Sequence, residues 1–307
     1  MSYDYRTVPV PILESACNAV GTWADLTVNN GLMIARRLNL PFEENALLAH
    51  GYATLTALHQ RGFAPERHPD GLLLSNSIFR LRLTTIEELS MLQEIFVEGC
   101  YDLHLAESWN VLDIGANAGF ASLAFSAQPW VSQVVAFEPF GPTAADHAKN
   151  VGINPALAAK ITLHRYGLAD RDETLEVPYH PNLRGSMSIH GLGSWRGVTA
   201  TTDTKVSIQV RRATSVLDEL APKLMDRPIL VKLDCEGSEY PILTDLENSG
   251  WLERIDLIVM ETHLHPPEEV IRQLSRAKFS LHVRALVPDR TLCLVLAWRH
   301  SAVRSAT

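Results

Sequence analysis

The sequence predicts an α/β fold, a mostly parallel sheet covered by helices. Short continuous apolar runs recur at residues 111–114, 134–137, 161–166, 229–233 and 255–260. Apolar runs of this length fit strands buried on both faces. Helical patterns lie between the runs, and this alternation implies parallel strands joined by crossover helices. The first run ends in a glycine turn, Gly115 to Gly119, where the chain must swing from strand into helix.

Composition bounds the rest. The chain has 307 residues, 46% of them apolar and 20% charged, which excludes a disordered tail, a collagen-like repeat and a small disulfide scaffold. Against 27 Lys and Arg stand 35 Asp and Glu, a net charge of −8. An acidic balance opposes non-specific contact with nucleic acid or anionic membrane, so neither is expected as a partner. Cys17, Cys100, Cys235 and Cys293 are scattered, with no C-x-x-C pair. They read as reduced thiols of a cytoplasmic protein. The first residues show no basic start followed by an apolar run, and no apolar stretch approaches the roughly 18 residues that span a bilayer.

Two regions are expected. Residues 1–105 read as a mainly helical and hairpin cap or dimerisation region, and 106–307 as the domain carrying the chemistry. In the first region, residues 46–58 and 86–97 carry helical patterns, and residues 71–83 read as a hairpin turning at Ser75-Asn76-Ser77. In the second, residues 267–279 form the clearest amphipathic helix, with Val270, Ile271, Leu274 and Ala277 on one face. Residues 281–286 and 291–298 read as an antiparallel hairpin closing the sheet edge. Residues 178–205, rich in Gly, Ser, Asn and Thr, read as a functional loop.

The segment Asp113-Ile-Gly115-Ala-Asn117-Ala-Gly119 resembles a dinucleotide fingerprint but departs from G-x-G-x-x-G. Asp113 would repel a pyrophosphate and favour a ligand carrying a cation. S-adenosyl-L-methionine carries an ammonium and a sulfonium, and its carboxylate can still use the helix amides. Glu138 ends the second strand, where an acidic side chain can accept hydrogen bonds from two ribose hydroxyls.

A second group gathers at Lys232-Leu-Asp234-Cys-Glu236-Gly-Ser-Glu239 and Glu261-Thr-His263-Leu-His265. Ligands of open α/β sheets bind beyond the carboxyl ends of the strands, and these residues collect there. A lysine in so apolar a strand needs an anionic partner, so Lys232 and Glu239 read as structural. No residue is assigned to a metal: Glu261-x-His263-x-His265 is read as ordinary strand-end residues.

Together, Asp113-Ile-Gly115-Ala-Asn117-Ala-Gly119, Phe137-Glu138-Pro139 and the Lys232-to-Glu239 string make residues 109–300 resemble the FkbM-type S-adenosylmethionine-dependent methyltransferases. The resemblance implies a class I, Rossmann-like methyltransferase fold of seven strands. It implies O-methylation of a hydroxyl on a sugar, natural-product intermediate or other small metabolite, a small-molecule acceptor being the expected partner. It places Asp113, Gly115, Asn117 and Gly119 along the methionine part of the cofactor and Glu138 on the ribose. It likens the stretch around Ser186 to a loop that nears cofactor and acceptor. His263, taken to titrate near neutrality, is the expected general base, with Asp234 or Glu236 orienting the acceptor. The rivals are a nicotinamide-dependent oxidoreductase, disfavoured by Asp113 and the missing glycine, and a catalytically silent methyltransferase-like binding module.

Overall fold

The computed structural model of the chain describes residues 54–299, except 56, 70, 86, 190, 193–201 and 203. They fall into two compact units: residues up to Asp102 with Gly152–Asn154, and Leu103–Val151 with Pro155 onward. The expected helix over residues 46–58 lies mostly outside the described residues.

In the first unit, β1 (Ala64–His68), β2 (Gly71–Ser75) and β3 (Arg80–Leu83) form an antiparallel sheet. The hairpin β2–β3 is the expected one. Its turn is set by Asn76, whose Oδ1 accepts the N–H groups of Ile78 (2.8 Å) and Phe79 (2.7 Å). β1, pairing with β2, was not foreseen. A helix at Glu87–Leu92 follows, then a wider turn at Gln93–Glu98. A capping box starts it: Thr85 Oγ1 accepts the Glu88 N–H at 3.3 Å, and Glu88 Oε2 accepts the Thr85 N–H at 2.9 Å.

The second unit begins with β4 (Trp109–Ile114), whose six residues are all buried, β5 (Val131–Phe137) and β6 (Ile161–His164). The chain then leaves the main sheet. β7 (Gly167–Ala169), β8 (Glu173–Pro178), a two-stranded pair β9 (Met187–Ser188) and β10 (Gly191–Leu192), and β11 (Lys205–Arg212) follow. β11 lies between β7 and β8, so the segment read as a loop is flanked by a second small sheet. Ile208, Val210 and Val177 on that sheet pack with Phe140, Tyr179 and Met187 into a core of their own. This core anchors residues 178–188 beside the main sheet.

The chain returns with β12 (Ile229–Leu233), β13 (Leu257–Thr262), β14 (Ser280–Ala285) and β15 (Cys293–Trp298). The seven-stranded order is β14-β15-β13-β12-β4-β5-β6. β12 pairs in parallel with both β4 and β13, and β15 pairs antiparallel with β13 and β14. The last two strands are therefore a hairpin closing the sheet edge, as expected, with β14 outermost and β15 the inner strand. It inserts between β13 and β14, with Thr262 opposite Cys293. The burial of β15 explains this: Cys293, Val295 and Ala297 are wholly buried, whereas β14 has no buried residue.

Helices Phe120–Ser126, Gly141–Gly152, Ala213–Leu224, Glu239–Ser249 and Glu268–Arg276 lie between the strands. Leu217, Leu243, Leu246, Val270 and Leu274 from them share one core with Leu112, Val231, Leu233, Ile258 and Met260 of the sheet. The helix at Glu268–Arg276 has Glu268 and Glu269 in its first turn and Arg276 in its last, matching its macrodipole. No helix among the described residues is long and apolar enough to cross a membrane.

Candidate active site

Two clusters form at the carboxyl ends of the central strands. The first begins where β4 ends. Gly115 holds φ at +82°, and a Cβ there would lie 1.8 Å from the backbone oxygen of Asp234. Only glycine lets the turn after β4 come this close to the turn after β12. Asn117 also sits in the left-handed region, at φ 46°. Its Oδ1 accepts the Ala118 N–H (2.6 Å), its own N–H donates to Glu138 Oε2 (3.0 Å), and its Nδ2 donates to the Arg184 carbonyl (3.3 Å). Gly119, at φ +88°, opens the helix Phe120–Ser126, and a Cβ there would come within 3.0 Å of the His147 ring.

Glu138 turns back toward this loop. Besides Asn117, it accepts the Phe140 N–H at 2.9 Å on Oε1. Burial pushes its carboxyl up to about 7, against the pull of these two N–H groups and the Lys232 charge. Each oxygen retains a lone pair for another donor.

Asp113 departs from its expected place. Its residue is 0% exposed, and its carboxylate is turned inward rather than lining an open rim. Oδ2 accepts Ser122 Oγ–H at 2.5 Å, and Ser122 Oγ lies 3.1 Å from His147 Nε2. The serine's one proton is given to Asp113, so His147 must carry its proton on Nε2 and donate to Ser122. Burial pulls the His147 imidazole down to about 4, which keeps it neutral. On the other side, Lys232 Nζ lies 3.4 Å from Asp113 Oδ1 and 3.5 Å from Asp234 Oδ2, and donates to the Gly115 carbonyl at 2.6 Å. Burial alone would depress the Lys232 ammonium, but Asp234 and Asp113 outweigh it and hold its affinity for the proton above the ordinary value. Asp113 and Lys232 thus brace the glycine turn from beneath. Lys232 was expected to be structural, and its partner proves to be the residue assigned to the cofactor.

The second cluster brings Asp234, Glu236 and His263 together, from the loops after β12 and β13. His263 Nε2 lies 3.9 Å from Asp234 Oδ1 and 3.8 Å from Glu236 Oε1. Its Nδ1 is 3.1 Å from Glu239 Oε1. Glu239, wholly buried at the start of its helix, also accepts the N–H groups of Cys235 (2.6 Å) and Gly237 (2.8 Å). This carboxylate folds the loop around itself and orients the imidazole. Glu236 pays for the tight path with a left-handed backbone, φ 52°.

The electrostatics correct one expectation. Burial alone would lower the His263 imidazole, but the Glu239 hydrogen bond and the charges of Glu236, Glu239 and Asp234 push it up to about 10. In this surrounding it holds its proton, so it is not the near-neutral base the sequence reading assumed. Burial pushes Glu236 up to about 8, with His263 opposing. Glu261 and His265 are not part of it: among the described residues, the group whose ligand atoms converge is Asp234, Glu236 and His263. His265 is exposed and packs edge-on against Tyr240.

Residues 184–188 link the two clusters. The Arg184 guanidinium pairs with Asp146, and the Arg184 carbonyl holds Asn117. Ser186 is buried, and Ser188 Oγ donates to the Glu236 carbonyl at 2.5 Å. Ser122, His147 and Asp146 had no signal in the sequence. They lie on helices, and only packing turns them toward the glycine turn and the loop.

The strand order, the glycine turn and the two clusters define a class I, Rossmann-like methyltransferase. The model of the methyltransferase FkbM domain matches residues 113–290, more than half of the chain, and the chain belongs to that family. Methyltransferase sdnD of Sordaria araneosa is 29% identical over 201 residues, covering 59% of this chain and 76% of that protein. The hexuronic acid methyltransferase AglP of Haloferax volcanii is 26% identical over 190 residues, covering 61% and 70%. The crystal structure of methyltransferase FkbM from Methylobacillus flagellatus KT is 15% identical, with a TM-score of 0.44, covering 87% of this chain and 69% of that one.

Proposed function

We propose that the chain transfers the methyl group of S-adenosyl-L-methionine to a hydroxyl of a small, polar acceptor. The observation that carries this is the pairing of two clusters across adjacent strand ends, one after β4 and β5, the other after β12 and β13. The first offers what the cofactor needs. The Gly115–Gly119 turn presents backbone at the start of a helix, and Glu138 supplies two carboxylate oxygens for the ribose hydroxyls. Asp113 acts as a positioning residue, through Ser122 and Lys232. Residues 184–188, Ser186 among them, close the space between cofactor and acceptor.

The second cluster receives the acceptor. The reaction is an in-line displacement: an acceptor oxygen attacks the sulfonium methyl, the S–CH3 bond breaks, and S-adenosylhomocysteine leaves with the electron pair. The acceptor must also lose its hydroxyl proton. The Asp234 and Glu236 carboxylates take that proton between them as the C–O bond forms and aim the oxygen lone pair, and His263 sets the spacing of the two carboxylates. Much of the acceleration comes from holding two reactants in line. The relative named for hexuronic acid supports a hydroxyl-rich acceptor.

Calorimetry with S-adenosylhomocysteine tests the reading. One site per chain is expected, weakened about 10- to 100-fold by Glu138→Ala, which loses charge-assisted hydrogen bonds. Labelled methyl transfer to a panel of sugar acids, with free sugars and amines alongside, then identifies the accepting atom. A chain that binds neither S-adenosylhomocysteine nor its parent would overturn the proposal.

A further inference from the structure

We infer that Asp234, Glu236 and His263 form a binding site for a divalent metal cation of the manganese type. The inference deepens the reading above and rests on the acceptor oxygen docking at this cluster.

Geometry is the first support. One ligand atom from each of the three residues lies within 4.8 Å of the others. Nε2 of His263 stands 3.8 Å from Glu236 Oε1 and 3.9 Å from Asp234 Oδ1. These separations are too long for hydrogen bonds. They suit donors that share one ion, since bonds of about 2.1 Å at an open angle set donors about 3–4 Å apart.

The second support is the state of the imidazole. His263 is 9% exposed, and its Nδ1 is taken by Glu239, itself 0% exposed. The Cys235 and Gly237 N–H groups fix that carboxylate in turn. With Nδ1 held, Nε2 is aimed between the two other carboxylates and makes no hydrogen bond among the described residues. A carboxylate behind an imidazole is the arrangement that orients metal-binding histidines and raises their basicity. The Glu236 carboxylate likewise accepts no hydrogen bond among the described residues. Two carboxylates and an imidazole nitrogen converge on one spot, where a divalent cation can take the place of the proton that His263 holds.

The donor chemistry narrows the cation. One imidazole nitrogen and two carboxylate oxygens, with no thiolate, suit manganese better than soft ions. Three protein ligands leave coordination positions open for the acceptor oxygen. A cation there orients that oxygen and lowers the pKa of its hydroxyl.

The experiment uses the full chain stripped with a chelator and titrated with MnCl2, followed by calorimetry and by the electron paramagnetic resonance of free Mn2+. One Mn2+ per chain is expected. Glu236→Gln, Asp234→Asn and His263→Ala should each weaken binding more than about 100-fold, and Glu239→Gln about 10- to 100-fold by releasing the imidazole. Circular dichroism confirms that each variant is folded, and the conservative Asp234→Asn and Glu236→Gln carry the test if His263→Ala is not. No binding at millimolar Mn2+, or the same affinity in Asp234→Asn and Glu236→Gln as in the parent, overturns the site. S-adenosylhomocysteine titrated into the same metal-free protein separates the two claims. If it binds while Mn2+ does not, the cation falls and methyl transfer stands. If Mn2+ binds at these residues and S-adenosylhomocysteine does not, the cation stands and methyl transfer falls.

Discussion

Replacing Lys232 by methionine should be among the most damaging single changes in the second unit. Methionine keeps much of the stem's volume and removes the ammonium. Lys232 is 2% exposed, and its Nζ serves three acceptors at once: the Gly115 carbonyl at 2.6 Å, Asp113 Oδ1 at 3.4 Å and Asp234 Oδ2 at 3.5 Å. Asp234 reaches solvent and can be rehydrated. Asp113 is 0% exposed and cannot, so Lys232→Met leaves a buried carboxylate with only Ser122 to answer it. Breaking a buried pair from one side costs about 3–5 kcal/mol. At roughly 2–4 °C per kcal/mol for a domain of this size, the melting temperature should fall by about 6–20 °C. Pairing the change with Asp113→Asn removes the orphaned charge and should bring the cost down to about 1–2 kcal/mol, a coupling energy of about 2 kcal/mol or more. Urea unfolding of the parent, both single variants and the double variant measures this cycle. A Lys232→Met cost under about 1 kcal/mol, or a double variant that merely sums the two single effects, would refute the bracing role of the pair.

Four further outcomes are expected. Gly115→Ala must place a Cβ 1.8 Å from the Asp234 carbonyl at φ +82°, so it should cost about 2–4 kcal/mol in urea unfolding and weaken S-adenosylhomocysteine binding. His147 gives a pH signature. Its imidazole is held at about 4 against an ordinary 6.5, so the unfolded chain binds the extra proton between those values. The stability tied to neutral His147 is therefore present above pH 6.5 and drains as pH falls toward 4, by about 2 kcal/mol between pH 7 and pH 5. His147→Asn should flatten that part of the profile, and an unchanged slope would count against the buried neutral imidazole. Glu236→Gln should cut turnover of the methyl transfer by about 100-fold or more, leaving S-adenosylhomocysteine affinity within about 2-fold, as calorimetry and a labelled-methyl assay would show. Ser188→Ala removes the tie from residues 184–188 to the Glu236 carbonyl and should raise the KM for the acceptor more than it lowers turnover.

How much of this was legible in the chain depends on the range of the forces involved. Residues 229–233 were readable as a strand because four apolar side chains around the single Lys232 make a run of strand length, and β12 has those bounds. The turn at Asn76 was readable because an Asn side chain makes its own local hydrogen bonds. The insertion of β15 between β13 and β14 was not, since a hairpin pattern says that two strands pair and nothing about which one meets the sheet. The β7-β11-β8 sheet escaped notice because β8 and β11 alternate apolar with polar side chains instead of forming the continuous apolar runs that mark the main sheet.

The candidate site divides along the same line. Gly115, Asn117, Gly119, Glu138, Asp234, Glu236 and His263 follow from sequence alone, because a strand ending in a polar or glycine residue delivers it to the sheet's carboxyl edge whatever else the fold does. Their electrostatic states did not follow. Asp113 turned inward to Lys232, and His263 was drawn into three carboxylates, through contacts between residues far apart in the chain. Local pattern determines where along an element a side chain emerges. Only packing determines how much water it keeps and which charges stand around it, and those two quantities decide whether a group is a brace, a base or a ligand.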